Sequence, residues 1–278
     1  MTLPYFKMQG AGNDFIVINN MELGFSYEQL VALTRHVCQR KLSVGSDALM
    51  VVDHPQAAGD IRMIFFNEDG TEAEMCGNGA RCLARYAFEN HLAKEAMVIE
   101  TLAGPVPAWR LSERLYKVEL NAPTVEKFNL SFQGSQSLVV DYIELGDPGL
   151  PHLVVPYPDL KNQSLTELLP LAQELRYWSQ LPKGANVNFY ELLENGQVVI
   201  RTFERGVEGF TYACGTGAGS TGYALYKKGQ VNDPQVTLQA LGGELQVAVE
   251  AEQLFLIGDT TIVVEGIIRD ENLGSILN

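Results

Sequence analysis

The sequence predicts an α+β protein made of two related halves. Three observations indicate this fold class: a repeated motif, the similar segments on either side of each copy, and the mixture of predicted strands and helices. The motif Cys-Gly-x-Gly-Ala occurs at residues 76–80 and again at residues 214–218, so its cysteines lie 138 residues apart. Each copy follows an apolar strand that ends at a phenylalanine, Phe66 or Phe203, and then a charged turn. A segment with helical character follows each copy. Many strands and two helices in each half are typical of the α+β class.

The length, charge and composition are those of an ordinary globular protein. The 278 residues are enough for one or two domains, and 46% are hydrophobic while 19% are charged. A formal net charge of −14 is unfavourable for binding nucleic acids or anionic membranes, so we expect neither as a partner. The first residues lack the apolar core of a secretion signal, and no apolar stretch reaches the ~18 residues of a membrane span. We therefore expect a cytoplasmic protein.

In the first half, residues 26–38 predict an amphipathic helix, because Ser26 and Gln29 form a capping-box pattern and apolar residues follow at helical spacing. Residues 10–14, Gly-Ala-Gly-Asn-Asp, favour either a turn with unusual backbone angles close to a ligand or a plain hairpin turn. The other elements predicted in this half are strands at residues 16–19, 48–52, 61–66, 97–101, 106–111 and 116–120 and a helix at residues 77–90.

The order of elements partly restarts after residues 121–124, which predicts a domain boundary there. The predicted halves are residues 1–121 and 122–265, and a C-terminal strand at residues 266–278 is expected to join the first half. The other elements predicted in the second half are strands at residues 138–145, 153–156, 186–193 and 197–203, a helix capped by Ser164 and Glu167, a helix from the second motif to Gly229, and four further strands up to Ile268.

A hairpin in the second half predicts a cluster of polar side chains. The dipeptide Asn195-Gly196 is typical of a two-residue hairpin turn. Such a turn places Asn186 opposite Arg205 and the next residue opposite Glu204. An amide, a guanidinium and a carboxylate then meet at the open end of the hairpin. A bulge would shift the pairing by one residue and leave the cluster together.

The two motif cysteines are candidates for catalysis because each one opens a predicted helix. The positive end of a helix dipole favours a thiolate, and the adjacent glycines let unpaired backbone N–H groups bind an anion. Two such motifs around one carboxylate could place a sulfur on each face of the adjacent carbon. A thiolate would then remove the α-proton while a thiol on the opposite face supplies one, which inverts the stereocentre.

Other interpretations of the repeated motif remain open at this point. Each glycine-rich turn could simply connect a strand to a helix, or Cys76 and Cys214 could form a structural disulfide. Residues 217–222 also match the Gly-x-Gly-x-x-Gly fingerprint of dinucleotide-binding proteins, although no βαβ series surrounds them. The remaining cysteines, Cys38 and Cys82, are best interpreted as buried small hydrophobic residues. Because no Cys-x-x-Cys pair is present, we predict no metal site.

Seven segments in order along nearly the whole chain resemble the diaminopimelate epimerase family of amino-acid epimerases, which work without pyridoxal phosphate. The segments are residues 7–15, 66–70, 76–82, 151–152, 185–186, 204–206 and 213–218. The resemblance implies two pseudo-symmetric domains, each a β-barrel-like sheet around a central helix, with the active site in the interdomain cleft. It also implies interconversion of LL- and meso-diaminopimelate, for lysine and peptidoglycan precursors, with no cofactor.

The resemblance implies roles for individual residues. Cys76 and Cys214 correspond to the two catalytic bases. The residues that correspond to groups around the reacting carboxylate are Gly77, Asn78, Gly215 and Thr216. The residues that correspond to groups holding the rest of the substrate are Asn13, Asn67, Asn186, Glu204 and Arg205, with Arg205 at the distal carboxylate. His152 and Glu204 correspond to groups near the sulfurs that tune their ionisation.

Three positions depart from the family pattern. Leu150 stands where the family most often has an asparagine before Pro-His, and Ala48 stands where it often has a glutamine. Val264 stands where the family has a tyrosine linked to dimer formation, so a homodimer is left open.

Two alternative functions also remain. The first is a racemase or epimerase of another amino acid, of the histidine or proline type, although Asn78 stands where the proline type usually has histidine. The second is an amino-acid-binding relative without catalysis, although both motif cysteines are present. In each case the expected partner is a small-molecule amino acid.

Overall fold

The structure, a computed structural model, describes residues 2–277. Met1, which begins the predicted first half, and Asn278, which ends the predicted C-terminal strand, lie outside the described residues. The helices are α1 Asn20–Leu23, α2 Tyr27–Val37, α3 Gly77–Glu89, α4 Leu165–Arg176, α5 Gly215–Lys227 and α6 Leu273–Ile276. The strands are β1 Leu3–Gly10, β2 Asn13–Asn19, β3 Ala48–Asp53, β4 Ile61–Asn67, β5 Glu72–Ala73, β6 Ala96–Thr101, β7 Gly104–Arg110, β8 Leu115–Leu120, β9 Pro123–Gln133, β10 Ser137–Leu145, β11 Leu150–Pro156, β12 Asn186–Leu192, β13 Val198–Glu204, β14 Gly209–Thr211, β15 Gln235–Ala240, β16 Gly243–Glu250, β17 Gln253–Asp259 and β18 Thr261–Ile268.

The described chain divides into two compact units. The first unit contains the residues up to Val118 together with those from Gly258 onward, and the second is Glu119–Ile257. The C-terminal strand of the first unit, β18, pairs antiparallel with β1. This strand ends at Ile268, opposite Leu3, where β1 begins. The strand predicted over residues 266–278 is therefore wrong in its extent, and the short helix α6 follows β18 instead.

The two units repeat one succession of elements. In the first unit, β2 and β3 are parallel neighbours joined through α2, β3 pairs antiparallel with β4, and β4 pairs parallel with β6 after β5 and α3. In the second unit, β11, α4, β12, β13, β14, α5 and β15 repeat this succession with the same pairings. The strand before each parallel pair, β1 or β10, is antiparallel to its successor. The internal duplication predicted from the cysteine motifs is thus present in the backbone.

A central helix surrounded by strands forms the middle of each unit. Helix α3 contacts β1, β2, β3, β4, β6 and β7, and α5 contacts β10, β11, β12, β15 and β16. Both helices are 13 residues long and are buried on nearly all sides, which is typical of a helix inside a core rather than on a surface. Small side chains make this possible, because α5 begins with Gly-Thr-Gly-Ala-Gly-Ser.

A second helix packs on each unit through one apolar face. Helix α2 buries Leu30, Leu33 and Val37, and its capping box between Ser26 and Gln29 is present as predicted. Helix α4 buries Leu168, Leu171 and Leu175 in the same way. The second predicted capping box is wrong, because the Ser164 side chain makes no cap hydrogen bond there.

The hairpin before β13 has a three-residue loop instead of the predicted two-residue turn. Leu192 pairs with Val198 and Val187 pairs with Phe203, so the register is shifted by one residue from the prediction. The cause is Gly196, whose φ of +82° places a left-handed residue at the end of the loop. The predicted turn at residues 10–14 is a hairpin, with Ala11 and Gly12 both at positive φ between β1 and β2.

Candidate active site

Each unit carries one cysteine at the start of its central helix. Cys76 before α3 and Cys214 before α5 have the extended backbone of an N-cap residue. The Cys76 sulfur accepts the backbone N–H of Gly79 at 3.5 Å, and the Cys214 sulfur accepts that of Gly217 at 3.4 Å. Both sulfurs therefore lie at the positive ends of helix dipoles.

A strand side chain under each helix explains the glycine at the fourth position of each motif. A Cβ atom on Gly79 would lie 1.8 Å from Met50 Cε, and one on Gly217 would lie 2.2 Å from Asn188 Oδ1. Side-chain atoms do not approach this closely. Glycine therefore allows the first helical turn, and the cysteine that caps it, to lie directly against the strand.

In the first unit, Asn13 links Cys76 to a charged network. The Cys76 thiol donates to Asn13 Oδ1 at 3.5 Å, and Asn13 Nδ2 donates to Asp47 Oδ2 at 2.7 Å. Asp47 in turn forms an ion pair with Arg40 at 2.7 Å. Asn13, which was predicted to hold the substrate, thus touches the candidate base itself, and Asp47 is a partner that sequence reasoning missed.

The Asn78 side chain is directed into the first unit. It is 2% exposed and accepts a hydrogen bond from the Arg81 guanidinium at 3.0 Å. Arg81 is fully buried, also donates to the Gly77 carbonyl oxygen at 3.4 Å, and burial lowers its pKa. Sequence reasoning missed this positive charge near Cys76.

Asn67 lies at the exposed end of β4. Its amide donates to the Thr71 hydroxyl at 3.0 Å, and that hydroxyl donates to Asp69 at 2.6 Å. The turn that follows β4 therefore holds the Asn67 side chain in place.

In the second unit, Asn186 and Arg205 are in contact at the open end of the hairpin despite the register shift. The backbone N–H of Arg205 donates to Asn186 Oδ1 at 2.7 Å. The Arg205 guanidinium donates to the Lys183 carbonyl oxygen at 3.1 Å. Glu204 precedes Arg205 at the end of β13, and burial raises the pKa of its carboxyl group, an effect that the nearby Thr211 partly offsets.

Thr216 lies directly beside the second cysteine. Its hydroxyl oxygen is 3.5 Å from the Cys214 sulfur, and Gly215 between them is buried as the first residue of α5. Cys214 itself is 9% exposed. The structure therefore brings together the three residues of this motif that were predicted as site residues.

His152 lies within strand β11, whereas the strand predicted from the sequence began one residue later, at Leu153. Strand β11 begins at Leu150, because this segment pairs with β10 on one side and with β12 on the other. The imidazole is fully buried, and burial together with the positive charge of Arg205 lowers the pKa of His152 to about 3. The ring is therefore neutral at physiological pH.

Asn188 is the main residue of this region that sequence reasoning missed. It is fully buried in β12, and its amide nitrogen lies 3.3 Å from His152 Nδ1. A polar residue in the middle of an apolar strand could have indicated it, since a buried amide requires hydrogen-bond partners.

The other two cysteines have the character that their sequence context predicted. Cys38 and Cys82 are 1% and 0% exposed, and burial raises their thiol pKa values to about 11 and about 12. Both therefore stay protonated and unreactive near neutral pH.

The three departures from the family pattern lie in strands. Ala48 is buried in β3, Leu150 is half-buried at the start of β11, and Val264 is 44% exposed in β18. Within residues 2–277 no cluster of three or more His, Cys, Asp or Glu side chains has the geometry of a metal site. None of the helices described for these residues is long and apolar enough to cross a membrane.

The sequence model of the family described as diaminopimelate epimerase matches residues 5–122 and 146–263. Each of these regions contains one helix capped by a cysteine. The chain belongs to the diaminopimelate epimerase family.

Curated members of the diaminopimelate epimerase family match nearly the full length of the chain. The protein of this name from Hydrogenobaculum sp. (strain Y04AAS1) is 35% identical over 275 residues, covering 95% of this chain and 98% of the relative. The one from Aquifex aeolicus (strain VF5) is also 35% identical and covers 98% of this chain and 99% of its own length. The family suggested by the sequence motifs is therefore confirmed.

Solved structures with low sequence identity share the fold of this family. A phenazine biosynthesis protein of the PhzF family from Bacillus anthracis has a TM-score of 0.74 at 18% identity, covering 97% of this chain and 100% of the other. A hydroxyproline epimerase from Agrobacterium vitis has a TM-score of 0.72 at 13% identity, covering 98% of this chain and 94% of the other. The predicted two-repeat α+β fold is confirmed.

Proposed function

We propose that this chain interconverts LL- and meso-diaminopimelate, with Cys76 and Cys214 as the two groups that exchange a proton with the α-carbon. The observation that carries this assignment is the pair of helices capped by cysteine sulfur, one in each region matched by the family. The name diaminopimelate epimerase, which the curated relatives share, supports the choice of substrate.

In the proposed reaction, one sulfur begins as a thiolate and the other as a thiol. The thiolate takes the α-proton, and the electrons of the broken C–H bond move toward the substrate carboxylate. Backbone N–H groups at the starts of α3 and α5 stabilise this developing charge. The thiol then delivers its proton to the opposite face of the carbon and becomes a thiolate. One proton leaves and one arrives, so these groups suffice without an organic cofactor or a metal.

We assign the remaining predicted residues to substrate recognition. Backbone groups of Gly77 and Gly215 would contact the reacting carboxylate, together with Thr216 beside Cys214. Arg205 would bind the distal carboxylate, because Asn186 fixes its backbone and Lys183 accepts from its guanidinium.

The other members of the proposed site act near the cysteines or on the substrate amino groups. Asn78 would complete the carboxylate site, and Asn13 and Asn67 would bind polar groups of the substrate. Glu204, whose pKa is raised by burial, and the neutral His152 would influence the ionisation of the sulfurs.

Deuterium exchange tests this function directly. The protein is incubated in D₂O under reducing conditions with LL-diaminopimelate, L-histidine or L-proline, and α-deuterium uptake is followed by mass spectrometry. We expect uptake with diaminopimelate alone. Uptake with only another amino acid would instead identify a different racemase or epimerase, and no uptake with any substrate would indicate a binding protein.

Single cysteine variants test the two-base mechanism. Cys76→Ala and Cys214→Ala should each lose inversion while keeping the thermal unfolding transition of the folded protein. Cys38→Ala is the matched control, because its buried thiol has a pKa raised to about 11 and no proposed role. A Cys76 or Cys214 variant that inverts its substrate at a near wild-type rate would rule the mechanism out.

We also propose that the protein acts in the cytoplasm as a homodimer. All four cysteines are thiols in the structure, in keeping with a reducing compartment. Exposed apolar side chains on β18, Val263, Val264 and Ile267, support contact with a second copy. Light scattering of the wild type and of Val264→Lys would test this, and a wild-type mass of one chain would refute the dimer.

A further inference from the structure

The two units differ in the residue that lies under the cysteine-capped helix. In the first unit the side chain against Gly79 is Met50, which is apolar and flexible. In the second unit the side chain against Gly217 is Asn188, a fully buried amide. Because the surrounding elements repeat, this exchange of an apolar for a polar residue is a specific difference between the halves.

Three hydrogen bonds fix the orientation of the Asn188 amide. Its nitrogen donates to the Leu153 carbonyl oxygen at 2.9 Å, and its oxygen accepts from the Thr202 hydroxyl at 3.0 Å. A carbonyl oxygen can only accept, so the atom facing Leu153 must be the nitrogen. The same nitrogen then donates its second proton to His152 Nδ1 at 3.3 Å.

This orientation determines where the imidazole of His152 carries its proton. The ring is neutral, since burial and the charge of Arg205 lower its pKa to about 3. A neutral imidazole has one N–H and one acceptor nitrogen. Because Nδ1 accepts from Asn188, the proton lies on Nε2. This buried Nε2 has no hydrogen-bond partner among residues 2–277, so its N–H group is a donor that the described residues leave unused.

We propose that Asn188 is a positioning residue that holds His152 in the neutral Nε2–H form, so that His152 serves the reaction as a hydrogen-bond donor and not as a proton acceptor. The catalytic part of this inference rests on the proposed function. The assignment of the tautomer does not, because it concerns the protein without substrate.

Nitrogen NMR of protein labelled with [¹⁵N]histidine tests the tautomer. Protonated and unprotonated ring nitrogens have well-separated shifts, and the spectrum of His152→Gln identifies the His152 signals among the four histidines. We expect a protonated Nε2 and an unprotonated Nδ1 from pH 6 to pH 9. A protonated Nδ1 in the wild type would overturn the inference, whether or not the variants below fold.

The variant Asn188→Asp tests the role of the amide, because a carboxylate accepts hydrogen bonds and cannot donate to Nδ1. We expect Nδ1 to gain a proton in this variant. The matched control, Met50→Leu at the equivalent place in the first unit, should leave the His152 signals unchanged. An unaltered His152 tautomer in Asn188→Asp would also overturn the inference.

Kinetics then connect the tautomer with the reaction. In Asn188→Asp we expect kcat for diaminopimelate to fall about 10-fold or more, the scale of a lost catalytic proton or hydrogen-bond donor, with KM nearly unchanged. A changed tautomer with unchanged kcat would overturn the catalytic part. The expected tautomer in a wild-type protein that does not turn over diaminopimelate would mean that the proposed function fails while the tautomer assignment stands.

Discussion

The Cys76 thiol donates a hydrogen bond to the side-chain oxygen of Asn13, and the amide nitrogen of Asn13 is held by Asp47 at 2.7 Å. Asn13 lies directly after the tight turn between β1 and β2. This hairpin therefore places the Asn13 side chain beside Cys76, at the start of α3. A residue that touches a candidate base and is anchored from behind is suited to orient that base.

Replacement of Asn13 by alanine should therefore slow the reaction without unfolding the protein. A hydrogen bond lost at a reacting group costs about 1.5–3 kcal/mol, which corresponds to roughly 10- to 150-fold in kcat/KM. Deuterium exchange with LL-diaminopimelate measures this effect. Asn162→Ala is the control, since the Asn162 side chain donates a hydrogen bond to the exposed Asp159 and has no proposed role in the site. A rate within about twofold of the wild type for Asn13→Ala would contradict a role for this contact.

The two motif glycines should differ in their tolerance of a methyl group. In Gly217→Ala the new atom meets Asn188, which three hydrogen bonds hold in place, so we expect a loss of about 2 kcal/mol in the free energy of unfolding. In Gly79→Ala it meets the end of the flexible Met50 side chain, so the loss should be smaller. Urea denaturation compares the two variants. Gly209→Ala, where no heavy atom lies within 4.0 Å of the new carbon apart from Val207 at that distance, is the control.

If the two motif variants lose equal stability, the hydrogen bonds of Asn188 do not restrain it as the structure indicates. Gly209→Ala should lose less stability than Gly217→Ala, because its new carbon meets no close side chain.

The two serines predicted as helix caps should contribute differently to stability. Ser26 accepts the N–H of Gln29 and completes a capping box, so Ser26→Ala should cost about 1 kcal/mol. Ser164 makes no side-chain cap bond, so Ser164→Ala should change the free energy of unfolding by less than about 0.5 kcal/mol. Thermal unfolding of the two variants side by side would measure this. Equal losses would show that the cap geometry does not govern the difference.

The sequence was sufficient to predict the elements whose residues carry a local pattern. The apolar spacing of Leu30, Leu33 and Val37 predicted α2, and the paired cysteine motifs predicted α3, α5 and the duplication of the fold. These patterns are local, because helix periodicity and N-cap chemistry depend on residues a few positions apart.

Features that depend on distant contacts could not be predicted in this way. The one-residue shift of the β12–β13 hairpin follows from the left-handed Gly196, and the strand that includes His152 exists because β10 and β12 flank it. The Asn188 network joins three strands, so no spacing along the chain reveals it. Arg81 is buried because strands distant in sequence surround α3, and its neighbours along the chain do not indicate this burial.

Alkylation should separate the four thiols into two pairs. Burial raises the pKa values of Cys38 and Cys82 to about 11 and about 12, so neither forms an appreciable thiolate at pH 8. We expect iodoacetamide to modify Cys76 and Cys214 first in the folded protein and to leave the buried pair intact. Peptide mass spectrometry would show the sites, and the protein in urea, where all four should react, is the control. Early modification of Cys82 would mean that the core around α3 opens readily.

The buried imidazole of His152 should make the protein less stable in acid. Its pKa is about 3 when folded and 6.5 in its ordinary state, so between these values the unfolded chain binds a proton that the folded chain does not. The contribution of this imidazole to the free energy of unfolding is therefore fully present above about pH 6.5 and is lost as the pH falls toward 3. The free energy of unfolding then falls by up to about 1.4 kcal/mol per pH unit.

Urea denaturation at several pH values tests this slope in His152→Gln, which has no imidazole to protonate in the unfolded state. Between pH 6.5 and pH 4 the free energy of unfolding should fall less steeply in the variant than in the wild type, whatever the stability of the variant at neutral pH. His54→Gln, at an exposed position, is the control and should run parallel to the wild type. Parallel curves for the wild type and His152→Gln would show that the buried ring accepts its proton without unfolding, and the neutral donor role of His152 would lose its physical basis.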